Sequence, residues 1–391
     1  MKLPINVKHI KEKEYFIPIL SFFTGAGFLD LGFIKAGFEV VWTNENNKIF
    51  AGMYEFGMSA LSRSFEKGKI FQKISNRQSI EDISARSIVK TAFSEGRPAL
   101  FGIIGGPPCP DFANGGKHRG HEGDHGRLSK TYASRICEIK PAFFVFENVH
   151  GLLRTEKHRS FLKILEKQFE NAGYCIDMAV LNSLDLGFAQ DRERVFLIGI
   201  MKNLTKTCLR RKLETSERGW FPWPVSEKYQ NAKNRFDWPD INTNGRAPEK
   251  PGGIPDELMV FHLLSNIPEN LPNAKEGFKP YSHKFKTVLE GDTSGKSFKR
   301  LHRYRYSPTA CYGNNEVHLH PWEHRRLTVR EAMRIQGIPD EYVLPGAVPL
   351  TAKFKMIANG VPVPLAEKVA ISLYNFLRPF ISTSKPRLRN L

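Results

Sequence analysis

The chain has 391 residues, enough for one large domain and a smaller one. Hydrophobic residues make up 41% and charged residues 25%, as in a globular protein, and no apolar run reaches the roughly 18 residues of a membrane span. The net charge of +18 favours a polyanionic partner, and five cysteines with no CxxC pair argue against a disulfide framework or a zinc knuckle.

Residues 1–14 are basic and polar without an apolar stretch, so no secretory signal is expected and the chain is assigned to the cytoplasm. From residue 16 to about 200, short apolar runs alternate with amphipathic stretches. Residues 17–23, 39–42, 100–104, 143–146, 175–181 and 195–200 read as buried strands. Residues 29–36, 84–94, 131–139 and 160–171 read as helices between them. This alternation predicts a doubly wound α/β sheet. From about 202 to 325 the chain is rich in Pro, Gly, Asn, aromatic and basic residues, and its periodicity is weak. A second, smaller, irregular domain is expected there. Trp220, Trp223, Trp238 and the cluster Arg300, His302, Arg303, Tyr304, Arg305, Tyr306 read as a solvated basic face or a nucleic-acid surface, and the aromatics among the cations favour the latter. Residues 328–336 read as a helix with Thr328 as N-cap and Glu331 three residues on, and 365–377 as an amphipathic helix. The expected division is 16–205, 206–330 and 331–391, the last part packing back on the first.

Several motifs carry chemistry. Phe22-Phe23-Thr24-Gly25-Ala26-Gly27 joins a strand to a helix, where glycines let the backbone turn tightly and approach a ligand. Glu45 ends the next strand, where a carboxylate accepts hydrogen bonds from both hydroxyls of a ribose. Together they imply a nucleoside cofactor such as NAD, FAD or S-adenosylmethionine, with a purely structural turn as the alternative. The full GxGxxG is missing, which disfavours a dinucleotide. Gly105-Gly106-Pro107-Pro108-Cys109-Pro110 is a stiff turn after a strand, a placement suited to a nucleophilic thiol. Residues 114–127 hold five glycines with Lys117, Arg119 and Arg127, which reads as a mobile loop suited to a phosphate backbone. His118, His121 and His125 lack matching carboxylates or cysteines, so no metal is expected. Glu147 ends an apolar strand, where burial would raise its pKa. Gln190, Arg192 and Arg194 alternate along an extended segment, facing one side either as a phosphate or carbonyl contact or as an ion-paired edge.

The order of these motifs resembles that of the DNA cytosine-5 methyltransferase family, over about 16–200 and 325–375. The resemblance implies a Rossmann-like methyltransferase sheet with a variable target-recognition domain, S-adenosylmethionine as cofactor and duplex DNA as partner. It implies that Cys109 adds to cytosine C6, that Glu147 contacts N3 and the exocyclic amine, that Arg192 contacts O2, and that Arg194 supports the site. Pro107 and Gln190 would shape the base pocket. Phe23, Gly25, Gly27, Glu45, Asp82, Ile83, Pro108, Leu128, Asn359 and Gly360 would contact the cofactor. A monomer of a bacterial restriction–modification system is implied, with a cognate endonuclease as genetic partner. A tRNA methyltransferase of the same fold, a dinucleotide oxidoreductase and a non-catalytic DNA-binding module are the alternatives. The roughly 120 residues between the motifs favour DNA over tRNA. Four positions depart from the family pattern: Ser21 replaces the usual Asp opening the first motif, Phe28 a Gly, Asn46 an aromatic and Ala358 a Gly.

Overall fold

The computed structural model describes residues 16–64, 73–108, 124–214, 216–312 and 316–381. Cys109, Lys117, His118, Arg119 and His121 lie outside them. Strands β1 (Ile17–Phe22), β2 (Phe38–Asn44), β3 (Gly102–Gly105), β4 (Phe143–Val149), β5 (Tyr174–Asn182) and β6 (Glu193–Met201) form one sheet in the order β2-β1-β3-β4-β6-β5. Every run read as a strand is one.

The helices in chain order are α1 (Phe28–Ala36), α2 (Lys48–Ser62), α3 (Ala85–Ala92), α4 (Asp124–Ile139), α5 (Glu156–Asn171), α6 (Lys202–Leu209), α7 (Ala232–Arg235), α8 (Val260–Leu264), α9 (Lys284–Thr287), α10 (Val329–Ile335), α11 (Leu350–Asn359), α12 (Val363–Phe376) and α13 (Arg378–Ile381). Side chains alternate across a strand, so β1 buries Ile17 and Ile19 against α1 and α12, and Leu20 and Phe22 against α3, α4 and α5. The result is a sheet covered on both faces.

β1 to β4 run parallel, whereas β6 is antiparallel to both β4 and β5. The reversal fixes the site. It brings the start of β6 to the carboxyl end of β4, with Arg194 opposite Val149 and Phe196 opposite Glu147.

Three local features differ from expectation. Helix α2 was not foreseen, because glycines and aromatics interrupt its apolar period. Asn47 caps it by accepting from the Ile49 and Phe50 N–H groups. Gly57 is obligatory there, since a Cβ would lie 1.9 Å from the Tyr342 ring. Helix α4 starts at Asp124, so 124–127 belong to a helix and not to the expected loop; Arg127 pairs with Glu81 at 2.8 Å. The third feature concerns the tryptophans. Trp220 and Trp223 do not face outward with the irregular segment. Trp220 packs on Phe376 at 5.7 Å and Trp223 on Phe221 at 4.8 Å, in the core beside α12.

Beyond them the chain holds little regular structure. A parallel ribbon of β7 (Phe298–Arg300) and β8 (Val317–Leu319) and two small apolar clusters organise it. Arg300 and His302 are buried, contrary to their reading as a nucleic-acid surface. The Arg300 guanidinium donates to the carbonyls of Val288, His320, Glu323 and Phe285, groups that no strand pairs. Arg303 is tied to Glu290 at 2.8 Å. The return to regular structure is as expected: Thr328 and Glu331 form a capping box on α10.

Candidate active site

A cleft of about 960 Å³ opens at the carboxyl ends of β1 to β4 and the start of β6. Ligands of open α/β sheets bind at this edge. On one side stands the β1–α1 turn. Phe23 and Gly25 both take left-handed backbone conformations, with φ of 52° and 58°. The turn is closed by Gly27 N–H donating to the Thr24 carbonyl at 2.8 Å. Gly27 itself is outside the cleft lining; a Cβ there would strike Tyr54 and Met58. Glu45, at the end of β2, accepts from the N–H groups of Gly25 and Asn47, both at 2.8 Å. Burial raises its pKa, and these two hydrogen bonds act in the opposite sense. Asn359, Gly360 and Val361, after α11, face the turn across the cleft. This side presents a carboxylate suited to a ribose diol and a ring, Phe23, packed edge-on against Tyr132 at 5.8 Å. Asp82, Ile83 and Leu128 are not among the lining residues. The Ile83 carbonyl accepts from Arg135 Nε at 2.7 Å, under α4.

On the other side, β3 leads into Gly106, Pro107 and Pro108, and β4 carries Glu147 near its end. The turn and the carboxylate are in close contact: a Cβ on Gly106 would lie 2.6 Å from Glu147 Oε2. Cys109 follows Pro108 directly. Arg194 Nε lies 3.1 Å from Glu147 Oε1, and both side chains are nearly buried. Burial raises the Glu147 pKa, and Arg194 and then Arg192 oppose the rise.

The two arginines divide their work differently from the expectation. Arg192 donates to the carbonyls of Ala310 at 3.1 Å, Ala358 at 2.5 Å and Gly360 at 2.8 Å. Its guanidinium is thereby fixed between β6, the irregular segment and the turn after α11. The guanidinium that reaches Glu147 belongs to Arg194. Gln190 is also displaced from its expected role. It is fully buried, donates to the Ile335 carbonyl at 2.6 Å and is not part of the cleft lining. Phase along an extended chain put these residues on one side, but it carried no information about which one another segment would occupy.

Reading the sequence missed other lining residues: Asp30, Asn47, His150, Lys233, Thr309 and Tyr312. Thr309 donates to the Asp191 carbonyl at 2.7 Å, which ties the irregular segment to the entry of β6. Ser307-Pro308-Thr309 lies in an aperiodic stretch, and nothing local marked it. For Asp30 a signal existed, a single acid inside the apolar run Phe28-Leu29-Asp30-Leu31.

Comparison with known proteins shows the family of the chain. The family model for C-5 cytosine-specific DNA methylases matches residues 17–375. The chain belongs to this family. As a DNA cytosine-5 methyltransferase it has DNA as its substrate. Among curated relatives, the type II methyltransferase M.NmeDI of Neisseria meningitidis serogroup C is 38% identical, over 98% of this chain and 89% of the relative. M.FnuDI of Fusobacterium nucleatum is 32% identical, over 90% and 92% of the two chains. A putative DNA modification methyltransferase encoded in an E. coli prophage shares the methylase fold, with a TM-score of 0.59 at 21% identity, covering 93% of this chain and 99% of the other. The S. pombe Dnmt2 methyltransferase shares it at a TM-score of 0.58 and 14% identity, with the same coverage.

Proposed function

We propose that this methylase modifies C5 of a flipped-out cytosine within a specific duplex sequence, using S-adenosylmethionine, as the modification half of a type II restriction–modification system. The single observation that carries this reading is the joint position of Glu147 and Arg194, 3.1 Å apart, beside the turn that leads into Cys109 and in the same cleft as Glu45.

A cytosine inside a duplex cannot reach a cleft of this depth, so the base is extruded. The Cys109 thiolate adds to C6. Glu147, whose burial favours the protonated form, donates to N3 and takes up the negative charge that addition pushes into the ring. Arg194 holds Glu147 in place and offers a donor to O2; Arg192 fixes the floor on which both stand. Bound S-adenosylmethionine supplies an electrophilic methyl group to the activated C5. Loss of the C5 proton and departure of the Cys109 thiolate then restore the aromatic ring. Phe23, Gly25, Glu45, Pro108, Asn359 and Gly360, which line the cleft, hold the cofactor. The irregular segment between β6 and α10 reads the flanking bases. The enzyme acts as a monomer in the bacterial cytoplasm, and its cognate endonuclease is encoded separately.

The test is Cys109→Ser. Methyl transfer to duplex DNA is abolished while binding of the same DNA is kept, measured by tritium transfer and by gel shift. Retained transfer would refute Cys109 as the nucleophile. Transfer to tRNA but not to duplex DNA by the parent enzyme would overturn the substrate.

A further inference from the structure

Ser21 stands where the family places an aspartate at the opening of the first motif. The structure places a carboxylate against its hydroxyl, delivered from α1. Asp30, on the first turns of α1, is fully buried, and its Oδ1 accepts from the Ser21 hydroxyl at 2.6 Å. Thr24, in the middle of the cofactor turn, donates to Oδ2 at 3.3 Å. The Ser21 and Thr24 hydroxyls also contact each other. Ser21, Thr24 and Asp30 all border the cleft, next to Phe23 and Gly25.

We propose that Asp30 is a positioning residue that has taken over the role of the missing aspartate: it clamps both ends of the Ser21–Thr24 bend and thereby holds Phe23 and Gly25 in the shape that receives the cofactor. The reasons are physical. Phe23 has a left-handed backbone, which a side chain bearing a Cβ resists, so something must hold it. The two hydroxyls flank Phe23 in sequence, and one carboxylate binds both. Among the described residues no cation compensates this carboxylate. The ionisable groups that face it are the phenols of Tyr54, from α2, and of Tyr342, from the segment before α11. The ion pair of α1 with α12, Lys35 with Glu367, sits at the far end of the helix. Burial therefore pushes Asp30 up to about 6, and its hydrogen bonds only soften the rise. A buried, unpaired acid that costs the fold stability is retained at the cofactor turn, which is the pattern of a functional group.

This inference rests on the cofactor reading above, and its test separates the two. S-adenosylhomocysteine is titrated calorimetrically into the full chain, into Asp30→Ser, and into the double variant Ser21→Asp with Asp30→Ser, which returns the acid to the family's own position. Melting temperatures of the ligand-free proteins are recorded alongside. Asp30→Ser weakens binding by about tenfold or more, the scale of a lost hydrogen-bonding charge, without lowering the melting temperature. The double variant recovers affinity to within about threefold of the parent. Asp30→Ser binding like the parent, or a double variant no better than Asp30→Ser, overturns the proposal while leaving the cofactor reading intact. A parent enzyme that binds no S-adenosylhomocysteine removes the cofactor reading and the proposal with it.

Discussion

The sheet that borders the cleft and the irregular segment between β6 and α10 are stabilised by different chemistry. Around the sheet, apolar side chains do the work: Phe144 stacks on Phe169 at 4.3 Å and on Tyr174 at 5.1 Å, and the strands satisfy one another's backbone. The irregular segment has few strands, so its carbonyls must be capped otherwise. Guanidinium groups do this. Arg300 alone serves four carbonyls, and Arg305 donates to the Pro239 carbonyl. A positive charge count thus overstates the surface available to DNA, because part of it is internal scaffolding.

The contrast can be tested at several depths. Phe144→Ala leaves a void among buried rings and is expected to cost about 3–5 kcal/mol in chemical denaturation, with both regions losing protection together. If only the irregular segment loosened, the sheet would not be the foundation described here. Arg300→Met keeps the side-chain stem but strands the Val288 and His320 carbonyls, while those of Glu323 and Phe285 keep Arg325 N–H and His324, and is expected to cost about 3 kcal/mol. Hydrogen exchange should rise around residues 285–288 and 320–323 and stay unchanged in β1 to β6. Exchange rising equally in both regions would erase the distinction.

Acid should also separate the two regions. Burial lowers the pKa of His302, His318 and His320, the last to about 4. These rings stay neutral in the fold and take up protons on unfolding, so stability is lost as pH falls below about 6.5. For His320 the loss reaches about 3 kcal/mol once the pH is below 4. Glu257 is held down at about 2, mainly by Lys228 and Tyr229 against its burial, and adds to the same trend. In the sheet region Asp30 has the opposite sign. Its folded pKa is about 6, so its contribution improves as pH falls from 6 towards 3.8. Hydrogen exchange at pH 5 against pH 7 should therefore show the irregular segment opening first. Earlier opening of the β1–α1 turn would contradict the assignment. The smallest effect is expected at the hinge between the regions: Thr328→Ala removes the α10 cap and about 1 kcal/mol, read as a modest fall in melting temperature.

The same division explains what could be read from the sequence. The six strands were legible because each is a short apolar run bounded by turns, and Glu45, Glu147 and the turn before Cys109 were legible because they end such runs. Helix α2 was hidden by Gly52 and Gly57, the latter selected by the Tyr342 ring and not by helix propensity. Spacing put Arg192 and Arg194 on a shared face but did not show the direction of β6, and direction decides that the Arg194 guanidinium meets Glu147. Arg300 and His302 were mistaken for surface because a cation capping carbonyls and a cation awaiting phosphate look alike in one dimension.

Helix α12 lies against α1 and closes the face of the sheet on which Phe33 and Phe38 are buried. Gly32 allows the contact, since a Cβ there would sit 2.5 Å from that of Ala366. During synthesis, then, the strands that bear the reacting groups leave the ribosome long before the helix that covers them. Until it docks, that face of the nascent enzyme is bare and must be shielded by chaperones or tolerated. A chain cut short ahead of α12 is therefore expected to be inert rather than partly active.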